Sequence, residues 1–157
     1  MSCKRSNVNG LIVAEGDENF LSCRVGPEHI DETAVRYNRE VLAVLMYEFD
    51  ENDRADCERK LKRRLREKAL GRFDPNRIAL LRRFKDEVRY ELDDRRTSTF
   101  FRGDKGRVSR SEHWDQEGLY RHFEARFPEV SPEIVHGFVQ WGIYIYWLRE
   151  RPPGGSA

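Results

Sequence analysis

Residues 131–149 read SPEIVHGFVQWGIYIYWLR and include the most apolar stretch of the chain. It opens with a serine, a proline and a glutamate, which is the pattern of a helix N-terminus with a capping side chain, a first-turn proline and a first-turn acid. Most of the residues that follow are apolar, so the predicted helix has almost no polar face. A helix of this kind lies at the centre of a core or shares its surface with a partner, and both interpretations stay open here.

Two helices are predicted upstream, at about residues 31–49 and 52–70, because apolar residues recur there at steps of three and four. The first has a broad apolar stripe that runs to Phe49, so we expect it to be well buried. The second has a narrow stripe that runs to Ala69 in an otherwise charged surface. We expect it on the outside of the fold, with Gly71 as its C-cap.

Two further helices connect these to the C-terminal one. An aspartate and a proline begin a helix at about residues 74–94, with the aspartate as the cap and the proline at the first helical position. The next helix is predicted to begin at Ser109 or Ser111, just before an acidic residue, and to end before Pro128.

The N-terminal part of the chain has a different pattern. Residues 10–26 contain two short β-prone apolar runs around a turn-rich connector, which predicts a small β-hairpin. Residues 1–9 are expected to be loose, and residues 150–157, rich in proline and glycine, to form a disordered tail. The sequence therefore predicts one all-α domain over residues 1–157, in which a bundle of about five helices at 31–149 follows the small N-terminal β-hairpin.

Composition limits the classes of function. Charged residues make up 36% of the chain but the formal net charge is +1, so binding to nucleic acid or anionic lipid would need a local patch. The three cysteines are odd in number and widely spaced, which predicts reduced thiols and a cytoplasmic location. The most apolar stretch, residues 134–148, is shorter than the roughly 20 residues that span a bilayer, so we expect no membrane association.

Motifs for catalysis or cofactor binding are weak in this sequence. His113 and Glu117 are four residues apart in the predicted fourth helix, and His136 lies in the fifth, but pairs of this kind are more often surface hydrogen bonds than metal ligands. The loop at 102–110 has glycines and bases without the spacing of a phosphate-binding loop. We therefore expect no cofactor, no metal ion and a non-enzymatic protein.

A basic run within the second helix is the first candidate surface. Acidic residues dominate residues 48–58 and basic residues dominate 59–72, which matches the helix dipole and predicts a solvated face. The same run, with the adjoining helix at 77–96, could instead lie along the phosphates of a nucleic acid. The candidate phosphate-binding residues are Arg59, Lys60, Arg63, Arg64, Arg66, Arg82 and Arg83.

The aromatic C-terminal helix is the second candidate surface. Tyrosine and tryptophan are enriched at protein interfaces because they combine a large apolar area with a polar group. We therefore expect a protein-interaction or regulatory module that binds a protein partner and forms a homodimer, with Trp141, Tyr144 or Trp147 in the interface. Nucleic-acid binding through the basic helix is the alternative.

Overall fold

The computed structural model describes residues 31–95, 97–103 and 110–150, without the side chain of residue 150. Within them the helices are α1 (Glu32–Leu45), α2 (Arg54–Glu67), α3 (Pro75–Asp93), α4 (Gln116–Arg126) and α5 (Pro132–Glu150), and a 3-10 turn (Ser111–His113) precedes α4. The predicted all-α class is confirmed for these residues. The predicted hairpin at 10–26, the loose segment at 1–9 and the tail after residue 150 lie outside them.

Local sequence signals fix the starts of α3 and α5. The Asp74 side chain accepts hydrogen bonds from the backbone N–H groups of Asn76 and Arg77, at 3.0 and 3.1 Å, and Pro75 is the first helical residue, as predicted. α5 begins at Pro132, also as predicted. The Ser131 hydroxyl, however, is buried and bonds to none of the described residues, so its predicted capping role is wrong.

The predicted end of the first helix is wrong by about one turn. α1 ends at Leu45, and the backbone N–H groups of Tyr47 and Glu48 then donate to the carbonyls three residues earlier, at 3.1 and 2.9 Å. These bonds close a tighter last turn, which the chain leaves before it reaches Phe49. Phe49 is consequently 55% exposed instead of lying on the inner stripe.

The predicted end of the second helix is also wrong. α2 ends at Glu67, and the N–H groups of Ala69 and Leu70 bond to the carbonyls of Arg66 and Leu65 at 3.2 and 3.0 Å. This pair of bonds is a Schellman motif, which puts Ala69 in the left-handed conformation with φ at 52°. Ala69 is therefore exposed, the next residue Leu70 is buried in its place, and Gly71 lies beyond the cap.

The start of α4 differs from both predicted serines. Ser111 begins the 3-10 turn, and α4 begins after Asp115, whose side chain accepts a hydrogen bond from the N–H of Gly118 at 3.0 Å. An antiparallel bridge between Phe101 and Trp114 separates the 3-10 turn from the helix. His113 consequently lies before α4, so the predicted pairing of His113 and Glu117 on one helical face is wrong.

The core is aromatic where α3, α4 and α5 meet. Phe84 of α3 is fully buried and lies 6.2 Å from Phe123, 5.3 Å from Phe127 and 5.3 Å from Phe138, measured between ring centroids. α5 buries one side of its first half in this core, and α1 and α2 complete the same cluster of buried residues. No helix in the described ranges is long and apolar enough to cross a membrane.

Candidate functional site

One line of residues along α5 faces away from the core. At the helical period of about 3.6 residues, Glu133, Gly137, Gln140, Tyr144 and Leu148 fall on the same side, and all of them are exposed. We call this line the outer face of α5. Its N-terminal half is polar or small, whereas its C-terminal half is apolar, with Tyr144 53% and Leu148 41% exposed. The outer face therefore leaves in solvent the kind of surface that interfaces bury.

The three aromatic residues predicted for the interface have different positions. Trp141 is half-buried, packs against the core and lies 5.7 Å from Phe138 between ring centroids. Tyr144 and Trp147 lie 5.9 Å apart with their rings tilted by 32°. Tyr144 is the most exposed of the three, so it is the strongest candidate for contact with another chain, and Trp141 forms the boundary between core and surface.

A groove between α1 and α5 lies beside the outer face. It has a volume of about 500 Å³, and its walls are mainly apolar: Leu42 and Ala43 from α1 with Met46 just after it, and Ile134, Gly137, Phe138 and Trp141 from α5. An ion pair between Arg39 of α1 and Glu133 of α5 joins the two walls. We call this the α1–α5 groove. The sequence pattern did not predict this side of the groove. Met46 extends an apolar stripe that, from its periodicity alone, would lie entirely in the core.

The two glycines of α5 have different surroundings. At Gly142 an added Cβ would come within 2.6 Å of Leu92 Cδ1, so the approach of α3 explains that glycine. At Gly137 no described heavy atom outside its own helix lies within 4 Å of such a Cβ. A glycine in an exposed helix costs about 1 kcal/mol relative to alanine. Packing within the described residues therefore does not account for Gly137, which forms a gap in the outer face.

Most of the candidate phosphate-binding residues on α2 pair with acids of the same chain. Asp56 contacts both Arg59 and Lys60, at 3.1 and 2.6 Å, and the bond with Lys60 lowers the pKa of Asp56 and raises that of Lys60. Arg64 donates to Glu40 of α1 at 2.5 Å. The Arg64–Glu40 pair holds α2 against α1. The Asp56 pairs lie within α2, with the acid nearer the helix N-terminus, as the helix dipole favours.

Arg63 and Arg66 are less tied to acids. Arg63 lies 3.8 Å from Glu67, an exposed pair of little strength, and none of the described residues pairs with Arg66. With Arg59 and Lys62 they form one exposed side of α2, since these positions are three and four residues apart.

The two candidates on α3 have internal partners as well. Arg82 binds the buried Glu48 through two nitrogens, one of them 2.8 Å from the carboxylate, and this bond raises the pKa of Arg82. Arg83 lies over the ring of Phe127, 5.2 Å from its centroid, and 3.9 Å from Glu87. Glu48 begins the acidic stretch at 48–58, but it is buried, and Arg82 neutralises it inside the fold.

His136 belongs to a hydrogen-bonded cluster between α4 and α5. His136 Nε2 lies 2.6 Å from Glu124 Oε1, and its ring stacks on Tyr120 at 4.1 Å. The Tyr120 hydroxyl donates to Gln116 and accepts from Gln140, both at 3.0 Å. The contacts of His136 with Glu124 and Tyr120, and of Gln140 with Tyr120, therefore join α5 to α4, whereas the Tyr120–Gln116 bond lies within α4. Among the residues that the structure describes, no group of three or more His, Cys, Asp or Glu could hold a metal ion.

The glycine-containing loop is described only at its two ends. A Cβ at Gly103 would lie 2.7 Å from the His113 ring and 2.8 Å from Phe101, so close packing requires a glycine there. Arg102 beside it donates to Asp115 at 2.5 Å. The packing of Arg102 and Gly103 on the residues just before α4 accounts for this end of the loop. Residues 104–109 of this loop lie outside the described residues.

Comparison with known proteins does not assign this chain to a family. No protein-family model, no curated protein and no solved structure matches it. The outer face of α5, with the α1–α5 groove beside it, is therefore the candidate site on geometry alone.

Proposed function

We propose that this protein is a non-enzymatic protein-interaction module that self-associates through the outer face of α5. The observation that carries the proposal is the exposure of Tyr144 and Leu148 on a helix whose opposite side is already buried. A helix normally turns polar residues to solvent. Removing these side chains from water in a complex is favourable by a few kcal/mol, and micromolar association requires about 8 kcal/mol in total.

The position of the apolar residues supports a shared surface over a purely structural helix. The buried residues of α5 lie mainly in its first half, where Phe138 packs on Phe84 of α3. The exposed aromatic and aliphatic residues, Tyr144 and Leu148, lie in the second half, and the mainly apolar α1–α5 groove borders the first half of the same outer face. A cytoplasmic location is part of the proposal, and the free thiol of Cys57 is compatible with it.

Paired tyrosine variants test the proposal. Tyr144→Glu should abolish self-association, because a charge in an apolar interface loses its hydration. Tyr90→Glu is the matched control, because Tyr90 is 73% exposed on α3, away from the outer face. Light scattering coupled to size-exclusion chromatography gives the mass of each variant, and circular dichroism shows whether each is folded. A Tyr144→Glu protein that associates like the parent would exclude this face.

Nucleic-acid binding is the second candidate function, and the exposed basic side of α2 favours it. Arg66→Gln should then flatten the dependence of log K on log salt by about one, whereas Arg121→Gln on α4 should leave the slope unchanged. The slope is measured by titrating a fluorescent duplex at several salt concentrations. Absence of binding by the parent protein would reject this function and leave the α2 cations as a solvated face.

A further inference from the structure

The outer face of α5 contains a protrusion and a gap at matched positions. Tyr144 projects from the helix with half of its side chain in solvent. Gly137, seven residues earlier, leaves open space where another residue would have a Cβ. Seven residues are two helical turns, so the two positions lie about 10 Å apart along nearly the same line of the helix.

Two copies related by a two-fold axis can pack through this face in two ways. If two α5 helices pack parallel, each residue faces its own copy, so Tyr144 meets Tyr144 and Gly137 meets Gly137. If they pack antiparallel about an axis between residues 140 and 141, Tyr144 of each copy lies opposite Gly137 of the other. In the antiparallel arrangement, the bulky Tyr144 of each copy fills the gap at Gly137 of the other, as knobs-into-holes packing requires.

The helix dipole favours the antiparallel arrangement as well. Antiparallel packing brings the positive N-terminal end of each α5 beside the negative C-terminal end of the other, whereas parallel packing would bring like ends of the two dipoles together.

We infer that two copies of this chain pair through antiparallel α5 helices, with Tyr144 of each copy seated over Gly137 of the other. The inference rests on the proposed function and adds the partner and its register to it. It also explains why residue 137 is a glycine, since a glycine there lets the second helix approach closely. Trp141, one turn after Gly137, lines the α1–α5 groove and forms the rim of the gap.

Disulfide trapping distinguishes the two arrangements. Gly137→Cys and Tyr144→Cys are made separately in a Cys3→Ser, Cys23→Ser background, in which the buried Cys57 is retained. The two proteins are mixed under mild oxidation, and the products are separated by mass. Antiparallel pairing predicts a mixed Gly137→Cys/Tyr144→Cys cross-link, because these positions are opposite. Like positions would be about 10 Å apart along the axis, beyond the roughly 7 Å that a disulfide allows.

The outcomes separate this inference from the proposed function. Cross-links between like positions, or a parent dimer that gives no mixed product, would overturn the register and leave self-association intact. A parent protein that is monomeric would overturn both. Gly137→Leu provides a second measurement, because filling the gap should weaken the dimer by about tenfold or more. Ala125→Leu on the exposed side of α4 is its matched control and should leave the association constant unchanged.

Discussion

Glu48 shows how much a single buried charge organises this fold. Its carboxylate binds Arg82 of α3, and its backbone carbonyl accepts a hydrogen bond from the buried Lys85 Nζ at 2.9 Å. Lys85 Nζ also lies 2.9 Å from Asp86. The segment that follows α1 is thus fastened to α3 through polar groups. Sequence patterns could not predict this, because an acid in a charged stretch is normally solvated.

Removing this carboxylate should be costly. Glu48→Ala leaves Arg82 partly buried without its partner, and we expect the free energy of unfolding to fall by about 3 kcal/mol. Glu67→Ala is the control, because Glu67 forms only an exposed pair with Arg63, and it should change stability by less than about 0.5 kcal/mol. Urea denaturation of both variants gives the comparison. Equal small losses would show that the Glu48–Arg82 bond contributes little.

The Cys57 thiol should be unreactive in the folded protein. Burial first, and then the nearby Glu48 carboxylate, raise the pKa of its thiol. Because the folded pKa is above the unfolded one, the protonated thiol favours the fold at neutral pH, and this contribution is lost as pH rises through the raised pKa. Labelling with a thiol reagent at pH 8, read out by peptide mass, should modify Cys57 only after denaturation. Rapid labelling of the folded protein would contradict its burial.

At the scale of helices, the sequence predicted beginnings better than ends. α3 and α5 begin where an aspartate or a proline marks the first turn, because these residues act locally on the backbone. α1 and α2 end earlier than their apolar stripes, because the chain leaves each helix through a tighter turn, so that Phe49 and Ala69 at the ends of the stripes are exposed. The start of α4 was misplaced, because three candidate caps, Ser109, Ser111 and Asp115, compete within seven residues and only tertiary packing selects one.

The C-terminus of α2 contains a strain that one substitution should relieve. Ala69 has a positive φ, a conformation that costs a residue with a Cβ about 1 kcal/mol and costs glycine almost nothing. Ala69→Gly should therefore raise the free energy of unfolding by up to about 1 kcal/mol, less the entropy that glycine gains in the unfolded chain. Ala55→Gly, inside α2, is the control and should destabilise. Loss of stability in both variants would contradict the left-handed cap.

Substitutions within α5 should separate its two roles. Trp141→Ala removes a side chain that packs on Phe138 and the core, and we expect a loss of about 2 kcal/mol in stability. Tyr144→Ala should change the stability of the monomer by less than about 0.5 kcal/mol, because its side chain contributes mainly exposed surface. Thermal unfolding at submicromolar concentration measures both. A large loss from Tyr144→Ala would identify that residue as part of the core.

At the scale of the whole molecule, the sequence predicted the helical architecture and the aromatic candidates. It did not predict which of those aromatic residues are buried and which are exposed. The pattern of residues 134–148 shows only that the helix is apolar. Which side is buried depends on how α3 and α4 cover it, and that is a property of the assembled bundle. The structure leaves Tyr144 and Leu148 outside the core, and the formal net charge of +1 gives little repulsion between two copies.

Sedimentation equilibrium of the unmodified protein tests self-association most directly. The chain has a mass of 18.7 kDa, so a two-fold dimer has twice that mass. We expect a weight-average mass that rises towards the dimer value as the protein concentration increases through the micromolar range. A mass that stays at 18.7 kDa across that range would contradict self-association, and the outer face of α5 would then be an apolar surface without a second copy to cover it.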